Sequence, residues 1–209
     1  MMKNLLTSKK NWRLMMLKHP TILANPQMYY DLYDRWSQKT SFQTINEWIN
    51  DVEILANTMP DTNSALKLRG DMLEVLSEIF FNAFQNDEAV GIKEYEPVSI
   101  DEDFGVDAVG INPNGIKVAV QCKYKNFEPV SYTELAKTFT SGLLILKCDL
   151  MQANSIYVFT TAVQFTSAVD KNLGSKVVKI DRNVISRKID NNRTFWQFAY
   201  DEIFSTLDK

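Results

Sequence analysis

The spacing of apolar residues over roughly the first sixty positions is typical of helices. Between residues 42 and 58, apolar side chains recur at intervals of three and four, as along one face of a helix: Trp48, Ile49, Val52, Leu55 and Ala56. Similar patterns predict short helices over residues 8–18 and 27–37. We therefore predict that residues 1–62 form a helical N-terminal region.

The pattern changes from helical to strand-like after residue 86. The segment MPDTNSA interrupts the first helices, and a longer helix is predicted over 65–86. Beyond it, continuous or alternating apolar runs predict five β-strands, over 90–97, 105–111, 116–124, 155–161 and 176–180. Helical patterns return over 131–147, 163–172 and 194–206. Strands that alternate with helices predict an α/β fold for residues 63–209.

The turn NPNG at residues 112–115 sets the register between the second and third predicted strands. A two-residue type I′ loop needs a positive φ at Pro113, which the proline ring forbids. A type I turn followed by a left-handed Gly115 suits the sequence instead. This three-residue hairpin pairs Asn112 with Ile116.

Counting back from the turn predicts which side chains share a face of the sheet. Asp107 falls opposite Gln121, and Gly105 falls opposite Lys123. Because side chains alternate along a strand, Asp107, Gln121 and Lys123 are predicted to lie on one face. The other face would carry Ile116, Val118, Val120, Cys122 and Tyr124. A two-residue loop would move Asp107 to that other face, so the convergence depends on the turn.

The composition excludes several kinds of catalytic site. The 209 residues include one histidine and two cysteines, too few for a Cys/His zinc site or a disulfide scaffold, so Cys122 and Cys148 are expected to be buried thiols. His19, before Pro20 at the end of a predicted helical stretch, is expected to be structural. The nearest match to a phosphate-binding loop, GVDAVGIN, has Ile111 where a lysine is required. Carboxylates, lysines and a divalent metal remain.

The charge is unevenly distributed, although the net charge is only −3. Residues 1–20 and 171–193 are basic, whereas residues 87–103 are acidic. Basic flanks around an acidic centre suit a protein that binds phosphates while holding a cation, and solvated surface charge is the alternative interpretation. No apolar run approaches the roughly 18 residues that cross a bilayer, and the first residues lack the apolar stretch of a signal peptide. We expect a cytoplasmic protein without a membrane segment.

The predicted hairpin resembles the PD-(D/E)xK motif of restriction-endonuclease-like nucleases, in the variant that ends in QxK. The motif reads GVDAVG on one strand and VAVQCKYK on the next. The upstream segment GDMLEVLSEIFF resembles the first core helix of Mrr-type restriction endonucleases, and SIYVFTTAVQFTSAV resembles their strand and helix after the site. The resemblance covers about residues 66–181. It implies a central mixed β-sheet flanked by helices.

The resemblance also implies roles for the converging residues. Asp107 would be the anchoring ligand of Mg²⁺ or Mn²⁺, Gln121 would offer its amide oxygen, and the Cys122 carbonyl would complete the protein ligands. Lys123 would orient or help deprotonate the attacking water and stabilise the pentacoordinate state. The expected function is metal-dependent DNA cleavage by a homodimer, because one such site cuts one strand. A Holliday-junction or recombination nuclease and a non-catalytic nucleic-acid-binding module are the alternatives.

The predicted helix over 65–86 supplies a further carboxylate. From Met72 to Phe84 nearly every position is apolar except Glu74, Ser77 and Glu78. Because a buried carboxylate is costly without a partner or a metal, one of the two glutamates is a candidate for the site. The resemblance favours Glu74, which stands in the motif GDMLE. Glu78 is the second candidate, and exposure of both glutamates to solvent is the remaining interpretation.

Overall fold

A computed structural model describes residues 17–37, 43–98, 105–144 and 147–207. Three helices precede the sheet in the described N-terminal region: α1 (Pro20–Ala24), α2 (Pro26–Ser37) and α3 (Ile45–Ala56). α3 begins at a capping box, in which the Thr44 hydroxyl accepts from the Glu47 backbone N–H and the Glu47 carboxylate accepts from the Thr44 N–H. Most of the helix predicted over 8–18 lies outside the described residues.

Helix α4 (Thr62–Phe84) is the long helix that the sequence predicts, but it begins earlier. The Asp61 carboxylate accepts hydrogen bonds from the backbone N–H groups of Asn63 and Ser64, each at 2.9 Å. This cap starts the helix inside the segment that the sequence predicts to be an interruption. From Met72 onward the helix is almost entirely buried.

A mixed sheet of five strands follows in the described part of the chain, and its strand order is that of the sequence. The strands are β1 (Lys93–Pro97), β2 (Ala108–Ile111), β3 (Lys117–Lys123), β4 (Ile156–Thr160) and β5 (Val177–Ile180). The pairs β1–β2 and β2–β3 are antiparallel, whereas the pairs β3–β4 and β4–β5 are parallel. Helices flank the sheet, so the predicted α/β fold with a mixed sheet is confirmed at this level.

The hairpin between β2 and β3 has the predicted turn. Gly115 has a φ of +78°, and its N–H donates to the Asn112 carbonyl at 2.9 Å. The Asn112 N–H donates in turn to the Ile116 carbonyl at 2.9 Å. The pairing of Ala108 with Val120 follows from the same register. The face of each β3 side chain is therefore the predicted one.

The start of β2 differs from the prediction. The strand begins at Ala108 rather than at 105. The Asp107 N–H donates to the carbonyl of Val120, which is also the residue that pairs with Ala108. Gly105 has a φ of +69°, which turns the chain away from an extended strand. The predicted pairing of Gly105 with Lys123 is therefore not formed.

Helices cover both faces of the sheet. α4 packs on the face that carries Val120 and Phe159, whereas α5 (Tyr132–Leu144) and α6 (Ser167–Leu173) lie on the face of Ala119 and Val158. The prediction of helix over 163–166 is wrong, because Phe165 forms a bridge to Val130 before α6 begins.

Two helices end the described chain, α7 (Arg182–Ile189) and α8 (Arg193–Leu207). α8 corresponds to the predicted last helix, whereas α7 was not predicted. The Asp181 carboxylate caps α7 by accepting from the Val184 N–H at 2.8 Å. None of the helices that the structure describes is long and apolar enough to cross a membrane.

The hydrophobic core continues across the predicted boundary at residue 62. Tyr29 and Trp48, on the N-terminal helices, belong to the same buried cluster as Phe80 of α4 and Phe159 of β4. The N-terminal helices therefore pack on the α4 side of the sheet, and the first residues of the described chain reach α4 directly.

Candidate active site

A cavity of about 680 Å³ opens where β3 ends, between α4 and the segment that follows β3. Its lining includes all the residues that the sequence predicts for the site: Glu74, Asp107, Gln121, Cys122 and Lys123. Gln121 and Lys123 reach the cavity because they share a face of β3, and Glu74 reaches it from α4. The structure thus brings these residues together around one space.

Asp107 is the acid of this cavity whose carboxylate accepts two hydrogen bonds from β3. Its Oδ2 accepts a hydrogen bond from Gln121 Nε2 at 2.5 Å and another from the Cys122 backbone N–H at 2.5 Å. Burial and the charge of Glu74 raise the pKa of Asp107 to about 7, although these hydrogen bonds and the charge of Lys123 act in the opposite direction. A carboxylate in this position carries negative charge that a bound cation would offset.

The raised pKa predicts that Asp107 makes the protein less stable as the pH rises. An acid whose pKa is higher in the folded state binds more protons when folded, so the free energy of unfolding falls between about pH 4 and about pH 7. Asp107→Asn keeps an acceptor oxygen and removes the charge. Without metal at pH 8, we expect this variant to be more stable than wild type by about 2 kcal/mol.

Chemical denaturation at pH 5 and pH 8 measures this effect. The two proteins are expected to differ much less at pH 5, where the wild-type carboxyl is protonated. A difference that is equal at both pH values would contradict the assigned environment of Asp107.

The Gln121 side chain lies in the predicted place, but its amide is turned the other way. Nε2 faces Asp107 and also the Cys122 carbonyl, at 3.3 Å, whereas Oε1 accepts from the Thr138 hydroxyl. A rotation of the amide by half a turn would direct Oε1 toward Asp107, and Nε2 would then donate to the Thr138 oxygen, which can also accept. Sequence reasoning missed Thr138, a fully buried residue of α5.

The two glutamates of α4 have different surroundings. Glu74 is partly exposed and lines the cavity, and its Oε2 lies 2.7 Å from Nε2 of His19. Glu78 is 1% exposed and accepts from the backbone N–H groups of Lys18 at 2.7 Å and His19 at 3.1 Å. Burial raises the pKa of Glu78. The interpretation in which both glutamates face solvent is wrong, and only Glu74 faces the cavity.

This difference predicts separate consequences for the two substitutions to glutamine. Glu74→Gln is expected to slow the predicted DNA cleavage about tenfold, because a neutral amide accepts a hydrogen bond from the attacking water more weakly than a carboxylate and cannot take its proton. Glu78→Gln places an amide N–H against backbone donors, so it is expected to cost roughly 1 to 3 kcal/mol of stability with little effect on the cleavage rate of folded protein. Cleavage time courses and thermal melting of both variants test this. A larger loss of cleavage rate in Glu78→Gln than in Glu74→Gln would move the role to Glu78.

The two lysines at the end of β3 are also not equivalent. The Lys123 ammonium makes no hydrogen bond or ion pair with any residue that the structure describes, and its charge acts on Asp107. Lys125 has a side chain only 19% exposed and pairs with Glu134 at 2.5 Å and with Glu128 at 3.7 Å. The Lys123 ammonium is therefore free of described partners and can meet a ligand in the cavity.

A network that the sequence did not indicate forms another side of the cavity. Arg69 of α4 donates to both carboxylate oxygens of Glu53 on α3, at 3.0 and 2.7 Å. The Tyr124 hydroxyl donates to the same carboxylate at 2.8 Å. The hydrogen bond and charge of Arg69 hold the pKa of Glu53 below its ordinary value. This network ties α3 to the end of β3, so the N-terminal helices support the cavity.

The donor atoms suit a hard divalent cation. Within the described ranges, no group of three or more His, Cys, Asp or Glu residues is placed to hold a metal ion. The available ligands are the Asp107 carboxylate, the Cys122 carbonyl oxygen and, after rotation of its amide, Gln121 Oε1. Oxygen atoms are the ligands of Mg²⁺ and Mn²⁺, and Mg²⁺ usually binds through one or two carboxylates while it keeps several waters. The residues therefore fit such an ion.

Comparisons with protein-family models, with curated proteins and with solved structures found no match to this chain.

Proposed function

We propose that the protein is a metal-dependent endonuclease that hydrolyses phosphodiester bonds in DNA, with a core of the restriction-endonuclease-like kind found in Mrr-type enzymes. The observation that carries the proposal is the convergence of Asp107, Gln121 and Lys123 with Glu74 around one cavity. The residue types match the order of acid, amide and lysine in the motif, and the hairpin register gives them one face. The five-stranded mixed sheet between helices is compatible with such a core.

Each residue of the cavity has a part in this chemistry. Asp107 and the Cys122 carbonyl would hold Mg²⁺ or Mn²⁺, with Gln121 as a third ligand once its amide turns. The chemistry that the ion supplies is neutralisation of phosphate charge and acidification of water. The Lys123 ammonium would donate to a phosphoryl oxygen and so stabilise the pentacoordinate state. Glu74 would accept a hydrogen bond from the attacking water and orient it.

A cleavage assay tests the proposal directly. Supercoiled, branched and methylated DNA would each be incubated with wild-type protein and Mg²⁺, Mn²⁺ or EDTA. We expect supercoiled DNA to be nicked and then linearised with either ion and to stay intact in EDTA. Light scattering of the protein with and without DNA would test the proposed homodimer. Cutting confined to the branched substrate would favour a Holliday-junction or recombination nuclease, and no cutting with any substrate or ion would overturn the proposal.

One observation favours a second candidate, a nucleic-acid-binding module without catalysis. Gln121 donates to Asp107 through its amide nitrogen, which is the arrangement expected of a core that holds no metal. Such a protein would bind DNA equally well in EDTA and in Mg²⁺ and would leave it intact. The same assay, combined with a binding measurement, separates the two candidates.

The basic segment 171–193 offers fewer free charges than its sequence suggests. Lys179 pairs with Asp170, and Lys188 pairs with Asp87 of the acidic segment. Three cations are exposed, and their side chains make no ion pair or hydrogen bond with the described residues: Lys171, Arg187 and Arg193. The basic residues before position 17 lie outside the described residues. Ion pairs within the molecule therefore neutralise part of the positive charge of this basic segment.

These three free cations predict the salt dependence of DNA binding. Affinity for duplex DNA is expected to fall steeply with salt, because each neutralised phosphate releases counterions. Replacing Lys171, Arg187 and Arg193 together by alanine is expected to reduce the slope of log Kd against log salt by about 2 to 3. Lys179→Ala, whose ammonium already pairs with Asp170, serves as the control with a change below about 1. A wild-type affinity that does not change with salt would favour a protein partner.

A further inference from the structure

His19 is buried between the N-terminal helices and the candidate active site. It lies directly before α1, and its side chain is only 3% exposed. Its Nε2 is 2.7 Å from Glu74 Oε2, and its Nδ1 is 2.7 Å from the Thr21 hydroxyl, which in turn lies 3.0 Å from the Tyr29 hydroxyl. A chain of polar contacts therefore runs from α2 through His19 to the cavity.

The direction of these hydrogen bonds follows from the chemistry of the groups. A carboxylate can only accept, so His19 Nε2 carries a hydrogen and donates a hydrogen bond to Glu74. In the neutral ring Nδ1 then accepts from the Thr21 hydroxyl, and the Tyr29 hydroxyl donates to the Thr21 oxygen. Each hydrogen bond fixes the next one, so the ring orientation is determined on both of its nitrogen atoms.

The main chain on either side of the ring is held as well. Glu78, one turn after Glu74 on α4, accepts from the backbone N–H groups of Lys18 and His19. The Leu17 N–H donates to the Thr206 hydroxyl of α8 at 3.1 Å. The segment 17–19 is therefore attached to two helices, and the His19 ring projects toward the one carboxylate of α4 that lines the cavity.

We infer that His19 is a positioning residue that holds the Glu74 carboxylate in place for the attacking water beside the cation. This inference rests on the proposed nuclease function for its effect on cleavage. Glu74 is 26% exposed and stands on a helix face that opens into the cavity, so without the His19 N–H its side chain is free to turn toward solvent. The N-terminal region then completes the site instead of only covering the core.

Two substitutions separate positioning from packing. His19→Leu fills the space without a donor, whereas His19→Gln retains an N–H that can reach Glu74. We expect kcat to fall tenfold or more in His19→Leu with little change in KM for DNA, and to recover to within about threefold of wild type in His19→Gln. Thr206→Val loosens the same segment at Leu17 without touching Glu74, so it should lower the melting temperature and leave kcat within about twofold.

His19 is also the only histidine of the chain, so its imidazole signals in an NMR spectrum need no assignment. We expect the ring ¹⁵N and C–H signals of wild type to shift when Mg²⁺ is added at constant pH, and to stay unchanged in Glu74→Gln. This readout does not depend on cleavage. If wild type cuts no DNA but its ring signals respond to Mg²⁺ through Glu74, the nuclease proposal fails and the positioning role stands.

The opposite results would overturn the inference. Imidazole signals that are identical with and without Mg²⁺ would show that His19 does not respond, through Glu74, to a cation bound in the cavity. Equal kcat values for folded His19→Leu and His19→Gln would show that the ring serves only packing. Either result, obtained with a wild-type protein that cuts DNA, would leave the nuclease function in place.

Discussion

Asp107→Ala and Lys123→Ala are each expected to lower the rate of DNA cleavage by at least about a thousandfold, with the protein still folded. In the proposed site Asp107 is the anchoring carboxylate for the cation, and no other acid lies on its face of the hairpin. Lys123 is the cavity lysine whose ammonium has no partner among the described residues, so none of them neutralises its charge by direct contact. Single-turnover cleavage of supercoiled DNA in Mg²⁺, with thermal melting alongside, measures both effects.

A neighbouring lysine supplies the matched control for this experiment. Lys125 lies two residues beyond Lys123 and lines the same cavity, but it pairs with Glu134. Lys125→Ala is expected to keep cleavage within about threefold of wild type, since its charge is already neutralised. If Asp107→Ala or Lys123→Ala cut as fast as wild type, the site would lie elsewhere. If Lys125→Ala were the inactive variant, the register of the motif would have to be moved by two residues.

The face of the sheet that carries the candidate site could be predicted because its determinants are local. Pro113 excludes one turn type and Gly115 supplies the left-handed residue of another, so the register follows from four consecutive residues. Once the register is known, alternation along β3 places Gln121 and Lys123 on one face without any knowledge of the rest of the chain. The prediction of the mixed sheet came from the resemblance to Mrr-type enzymes.

The hydrogen bonds and ion pairs that hold the side chains of the site could not be predicted, because their partners are remote in sequence. His19 and Glu74 are 55 positions apart, and Thr138 approaches Gln121 from α5, which packs on the same face of the sheet. From the sequence alone Lys125 is expected to face solvent, because only the fold brings its partner Glu134 beside it. The late start of β2 has a similar cause, since the Cys122 N–H donates to the side chain of Asp107. α7 was missed because its apolar positions are few, although Asp181 is a usual N-cap residue.

Gln121→Glu is expected to destabilise the metal-free protein strongly and to make its stability depend on magnesium. Gln121 is 2% exposed, and its Nε2 lies 2.5 Å from Asp107 Oδ2, so the substitution sets two carboxyl groups side by side in a buried place. The repulsion between the two negative charges raises the pKa of one carboxyl above that of an isolated one, so this group binds a proton. Since the folded state binds the extra proton, the free energy of unfolding falls as the pH rises, and the variant should be less stable at pH 8 than at pH 6.

Magnesium separates the two roles of this side chain. If Gln121 occupies a ligand position, the carboxylate that Gln121→Glu introduces binds the ion together with Asp107, so Mg²⁺ should raise the melting temperature of the variant by more than that of wild type, with cleavage retained. Gln121→Leu, which removes the amide without adding charge, is the control for the loss of hydrogen bonds to Asp107 and Thr138. Thermal melting of the three proteins at pH 6 and pH 8, with and without Mg²⁺, is measured beside a cleavage assay. A Gln121→Glu variant that melts far below wild type, gains nothing from Mg²⁺ and cuts no DNA would show that Gln121 serves Asp107 only as a hydrogen-bond donor.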